Sequence, residues 1–242
     1  MCNEVSFATR HLAPSGRLRA AINFGNAVLA QKDPETGKAK GVSIALAQEL
    51  ARRLNVPCEL ACFESAGTVV SALDKRPWDI AFLAIDPLRA QKLSFTSPYV
   101  LIEGSYLVPV DSALHRNEEV DTEGIRIAVG KNAAYDLFLS RTLTRAELVR
   151  ASTTPGAVDL FLEKKLDAAA GVRLPLQKFV KSHPEFRLLD GHFMVIEQAM
   201  AVPKDESAVI PFLETFLQTV KTSGFIKEAL EENMQYDVTV AP

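Results

Sequence analysis

An arginine follows an Asp-Pro pair at the end of an apolar run within Trp78 to Tyr99, WDIAFLAIDPLRAQKLSFTSPY. Aspartate followed by proline suits the cap and first position of a helical turn: the cap accepts orphan amide hydrogens, and proline has none to leave unpaired. That spacing predicts Asp86 as a cap, with Arg89 in the first helical turn. A helix dipole disfavours a cation there, so a permanent charge at this point implies an anion to meet it. A guanidinium offers a carboxylate two parallel donors, which lysine cannot do. The competing assignment for Arg89 is a solvated surface charge. A second anion element is predicted at Asn132-Ala133-Ala134, where a strand-like IRIAVG gives way to a helix. The free amide hydrogens and positive dipole end of a helix start attract anions. Small side chains there permit close approach, and Asn132 is expected to cap.

Signals for catalysis are sparse. His11, His115, His183 and His192 are isolated, and no serine elbow, phosphate loop or dinucleotide fingerprint is present. No cofactor or metal is expected. Three cysteines are present, and Cys58 and Cys62 fall in one expected strand. Four residues of strand separate them by roughly 13 Å, too far to bridge.

The elements that must position these groups alternate along the chain. RLRAAIN is extended, and QKDPETGKAKG is a hairpin-like loop. Ile44, Ala47, Leu50, Ala51 and Leu54 recur at helical spacing. PCELACF is the next strand, GTVVSALDK a short helix and DIAFLAI another strand. After Arg89, Leu93 to Phe95 should be extended, with a turn at Ser97-Pro98. A second unit opens near Ile125 with IRIAVG and a helix from about Ala133. Val149 to Ala151, a helix through Phe161, the LDAAAGV strand and a helix over about 174–181 come next. Helices are expected between Val209 and Asn233. This βαβ order implies α/β folding with doubly wound, mostly parallel sheets that bind ligands at the carboxyl ends of their strands.

At 242 residues, 48% hydrophobic and 24% charged, the chain can bury one large core or two small ones. A net charge of −3, with no long basic run, argues against a nucleic-acid surface. No apolar stretch reaches the length of a membrane span. The opening MCNEVSFATRHLAPSGRLR lacks the apolar core of a secretory leader, and its Met-Cys start with Glu4 close behind favours the cytoplasm slightly.

The stretch from Trp78 to Tyr99 resembles the signature of the family 3 bacterial solute-binding proteins, the amino-acid-binding receptors of ABC transporters. LRAAINFGN (18–26), ETGKAKGVSIALAQELARRLNV (35–56), IRIAVGKNAAYDLFL (125–139), KLDAAAGV (165–172) and TSGFIKEALEE (222–232) match further family segments in order. The resemblance implies a two-lobed type II periplasmic-binding-protein fold. Segments 99–109 and 193–203 would be its hinge strands, residues 1–105 with 197–242 one lobe, and 106–196 the other. It makes Arg89 the carboxylate-binding arginine and implies a small solute gripped in an interlobe cleft by a monomer. A transporter permease would be the partner if the protein is exported. The family implies the periplasm, while the missing leader leaves the cytoplasm open.

Three departures from the family pattern bear on the ligand. Val172, followed by Arg173, stands where the family's amino-acid binders carry the acid that holds an ammonium. Ala84 replaces a hydroxyl donor in a shorter loop, and the aromatic expected near Asn26 is absent. A carboxylate without a free amine is therefore expected, with Arg173 as a second anion partner and Gln198, Asn23 and Asp86 as polar contacts. Two alternatives share the fold. One is an enzyme resembling cyclohexadienyl dehydratases, with Glu197 or Glu103 as general acid. The other is a ligand-sensing module acting through a protein partner.

Overall fold

The computed structural model describes residues 2–242. The Met1 start and the Cys2 thiol lie outside the described residues. Contacts divide the chain into two compact units, Met1–Leu101 with Glu197–Pro242, and Ile102–Ile196. The strands in chain order are β1 (Leu18–Asn23), β2 (Gln31–Lys32), β3 (Ala39–Lys40), β4 (Cys58–Phe63), β5 (Ile80–Ala84) and β6 (Leu93–Pro109). They continue with β7 (Arg126–Gly130), β8 (Glu147–Ala151), β9 (Ala168–Val172), β10 (Phe186–Leu188), β11 (Met194–Pro203) and β12 (Thr239–Val240). The helices are α1 (Cys2–Leu12), α2 (Val42–Leu54), α3 (Ala66–Ser71), α4 (Ala134–Thr142), α5 (Gly156–Glu163), α6 (Arg173–Ser182), α7 (Ile210–Thr222) and α8 (Phe225–Glu232).

In the first unit, β4, β1 and β5 run parallel in that order, and β11 returns antiparallel to β5. β5 is buried at every residue, as a central strand covered on both faces must be. One face packs Ala21, Ala81 and Leu83 against Val69, Leu73 and Trp78, whose indole donates to the Val69 carbonyl at 3.2 Å. On β1 and β4 lies α2, which also packs against α8. The Asp79 carboxylate, 7% exposed, accepts the Arg19 amide at 2.9 Å and Nε at 3.0 Å, tying the start of β5 to β1.

The second unit repeats the plan. β9, β7 and β8 run parallel, the β6 residues from Gly104 onward pair antiparallel with β9, and β10 pairs with β6. Its core joins Leu107, Ala128 and Ala169 of the sheet to Phe161 of α5 and Leu176 of α6.

The alternating strands and helices appear where periodicity put them, and the α/β class with mostly parallel sheets stands. The turn expected at Ser97-Pro98 is absent, and β6 runs through it without a break. Proline cannot donate to a ladder, and the neighbouring polar groups are satisfied by a side chain instead. Glu214 of α7 accepts the Ser97 amide at 2.5 Å and its hydroxyl at 2.7 Å. Helix α1, which packs against α2, and the short strands β10 and β12 were not anticipated.

Because Glu214 is the only partner shown for the Ser97 amide among the described residues, Glu214→Ala should strand that donor. We expect a loss of about 1–3 kcal/mol of unfolding free energy in urea titration, with faster amide exchange at Ser97.

Candidate functional site

Apart from Gln198 on the antiparallel β11, the expected site residues sit at or just beyond the carboxyl ends of parallel strands, each within its own unit. β1 ends at Asn23, β5 at Ala84, β7 at Gly130 and β9 at Val172. These ends present open backbone and the starts of the next helices or turns, which is why α/β proteins bind ligands there.

In the first unit the loop after β5 is built around Asp86. Its Oδ1 accepts the amides of Leu88 at 2.9 Å and Arg89 at 3.4 Å, as expected of the Asp-Pro pair, although the cap position of the turn that follows is Leu88 rather than Asp86. The helical setting expected for Arg89 must be corrected. Arg89 opens a single 3-10 turn, Arg89–Gln91, rather than occupying the first turn of an α-helix. No helix macrodipole acts on it, so the dipole gives no reason to expect an anion there. What sets Arg89 apart is its burial. Arg89 is 3% exposed, and its Nη1 donates to the Ala84 carbonyl at 3.0 Å. Burial pushes the guanidinium down to about 10, with the Asp86 carboxylate acting the other way. It remains a cation at neutral pH. A buried cation is costly unless compensated, and the Ala84 carbonyl and the Asp86 carboxylate supply part of that compensation.

Gln198 of β11 lies in register with Ala84, and the Ile85 amide donates to the Glu197 carbonyl at 2.8 Å. The β5–β11 pairing thus brings together Ala84, Arg89 and Gln198. At the end of β1, Asn23 Oδ1 accepts the Gly25 amide at 2.9 Å and Asn26 Oδ1 accepts the Val28 amide at 3.2 Å. Both are turn-forming uses of asparagine.

In the second unit Asn132 adopts the left-handed region, φ 60, which asparagine tolerates. It does not cap α4, a second correction. The cap position is Ala133, and no side chain caps the helix. The Asn132 amide instead donates to Asp136 Oδ2 at 2.7 Å, while Asp136 Oδ1 takes Arg150 Nε at 3.0 Å. Asp136, 2% exposed, organises this turn together with Arg150. Neither was singled out in the sequence, although an acid in the first turn of a helix is a recognisable signal. A side chain at Gly130 would come within 2.7 Å of the Thr154 backbone, so the strand end requires glycine.

Arg173 is the first residue of α6. Its Nη1 donates to Ser105 Oγ at 3.2 Å and to the Gly191 carbonyl, and its Nε lies 3.5 Å from Glu103. Glu103 also lies 3.3 Å from His192 Nδ1. Among the described residues no group of three or more His, Cys, Asp or Glu could hold a metal. A groove of about 580 Å³ beside α1 and α7 and another of about 530 Å³ beside α5 are lined by none of these strand-end residues.

This arrangement belongs to the type II periplasmic-binding-protein fold. A solved cysteine-binding protein from Campylobacter jejuni superposes with a TM-score of 0.79 at 22% identity, covering 95% of this chain and 97% of that one. The model of bacterial extracellular solute-binding proteins, family 3, matches residues 26–235, and the chain belongs to that family. The L-cystine-binding protein TcyJ of Escherichia coli is 22% identical over 208 residues, 85% of this chain and 78% of that protein. The ABC transporter arginine-binding protein 1 of Escherichia coli is 22% identical over 193 residues, 76% of this chain and 77% of that protein. The named relatives are binding proteins rather than enzymes, and no described helix is long and apolar enough to cross a membrane.

Asp86→Ala should loosen the loop that carries Arg89. The expected cost is about 1 kcal/mol of stability, as for loss of a cap, with amide exchange accelerated selectively at Leu88 and Arg89.

Proposed function

We propose that the protein binds a small, amino-acid-like or organic-acid solute through its carboxylate, with Arg89 as the principal contact. The observation that carries this reading is the burial of the Arg89 guanidinium at the carboxyl end of β5, pinned by the Ala84 carbonyl on a loop fixed by Asp86. The carboxylate would receive two parallel donors from a group whose position is set before the ligand arrives, which favours affinity by lowering the cost of ordering. Family membership supports the same role, since named relatives bind cystine and arginine.

Asn23 and Asn26 keep amide donors outside their turn contacts and serve as further polar contacts in this reading. In the second unit, the α4 start at Asn132, Ala133 and Ala134 and the side chain of Arg173 serve as anion-binding elements. The exported role would be delivery to a transporter permease. The dehydratase-like alternative is the weaker one. Glu103 is engaged by Arg173 and His192, and Glu197 is exposed, using its backbone carbonyl to accept Ile85.

Native mass spectrometry of the purified protein, with denatured samples as reference, should release a small carboxylate. Thermal unfolding should then show saturable stabilisation by that compound, about 2.7 kcal/mol at a hundred times Kd. Arg89→Ala should abolish the effect, and Arg89→Lys should weaken binding by roughly ten- to a hundredfold, the worth of a charged, bidentate hydrogen bond. Unchanged binding in Arg89→Ala would remove the proposal.

A further inference from the structure

We infer that Gln198 determines specificity beside Arg89, reading a neutral hydrogen-bonding group, a hydroxyl or a carbonyl, on the carbon next to the ligand's carboxylate. The favoured ligand class is then 2-hydroxy or 2-oxo acids rather than 2-amino acids. This rests on the carboxylate reading of Arg89 and goes further than it.

Gln198 is 5% exposed, yet its side-chain amide makes no hydrogen bond to any described residue. Buried polar groups are almost always paired, and an exception asks for an explanation. The amide atoms are also absent from the sealed, unpartnered atoms of the structure, so each keeps a sliver of access. Such a group is open to a small molecule while being nearly closed to bulk water. Its place is set by the ladder. Gln198 pairs with Ala84, whose carbonyl holds the Arg89 guanidinium. Directly opposed residues of an antiparallel pair lie about 5 Å apart at Cα and project to the same face. The ladder thus sets Gln198 beside the residue that anchors Arg89, and the inference puts the carbon next to the carboxylate at the glutamine side chain.

The charge of the site decides what that carbon should carry. A carboxamide has a donor and an acceptor but no charge, which suits a hydroxyl or a carbonyl. An ammonium would stand near the buried Arg89 cation and would require a carboxylate to offset the repulsion. The acid at hand, Asp86, already uses Oδ1 for the amides of Leu88 and Arg89. Sites built to hydrogen-bond a neutral group discriminate strongly against an analogue that leaves the site's polar groups unpaired.

The test is calorimetric titration with matched pairs at up to millimolar concentration: L-lactate with L-alanine, L-malate with L-aspartate, and L-phenyllactate with L-phenylalanine. In the wild type, the hydroxy member of whichever pair binds should be the tighter. Gln198→Met keeps the shape and removes the amide. It should weaken the hydroxy acid about tenfold, the worth of one hydrogen bond, and leave the melting temperature close to that of the wild type. Gln198→Glu should shift preference toward the amino member. An amino acid that binds more tightly to the wild type than its hydroxy partner overturns the inference while leaving the role of Arg89 intact. So does an affinity unmoved in Gln198→Met. A panel in which no member of any pair binds overturns the carboxylate reading, and the inference with it.

Discussion

A guanidinium taken almost wholly out of water at the end of a central strand is the constraint around which the first unit is arranged. Arg89 cannot shed its charge at neutral pH, so its surroundings must hold it in place and supply compensating polarity. The Ala84 carbonyl does part of this, and Asp86 does part through its charge. The same aspartate organises the loop through the Leu88 and Arg89 amides. β5 itself is held by Arg19–Asp79 at its start and by β1 and β11 on either side. Rigidity of the strand is thereby transmitted to the charge, and a pre-positioned charge loses less on binding.

The second unit solves a related problem with different residues. There the helix start is shaped by Asp136, which receives the Asn132 amide and pairs with Arg150. Glycine at 130 lets the strand end approach Thr154 closely. Arg173 is steadied by Ser105 and Gly191 rather than left to sample solvent. In both units, charged groups at strand ends are held by backbone carbonyls or buried carboxylates, so their positions follow from the sheet. Family membership gives this common design its context, because a solute-binding protein needs donors that are ordered before the solute arrives.

Much of the fold was legible because its signals are local. Alternation of strand and helix followed from apolar periodicity, as in DIAFLAI for β5 and the Ile44 to Leu54 spacing for α2. That the Asp86 side chain would accept the amides that follow it was also legible, although the cap position itself falls at Leu88. The misreadings share a cause. Ser97-Pro98 reads as a turn because proline ends ladders, but Glu214, 117 residues away in the chain, satisfies the Ser97 amide and lets β6 continue. Asn132 reads as a cap because its type prefers caps, yet Asp136 draws its amide and leaves Ala133 at the cap position.

The sequence alone determined most of the strands and helices, though not α1, β10 or β12, that the sheets would be mostly parallel, and that Arg89 stood apart from ordinary surface arginines. Those properties reside in side-chain type and short-range spacing, which act before the chain has closed on itself. Tertiary structure alone decided how deeply Arg89 is buried, that its anchor is the Ala84 carbonyl, and that Gln198 stands in register beside that anchor. Strand pairing between distant segments is set by the summed burial of both faces, so no local pattern around Gln198 could have announced its neighbour.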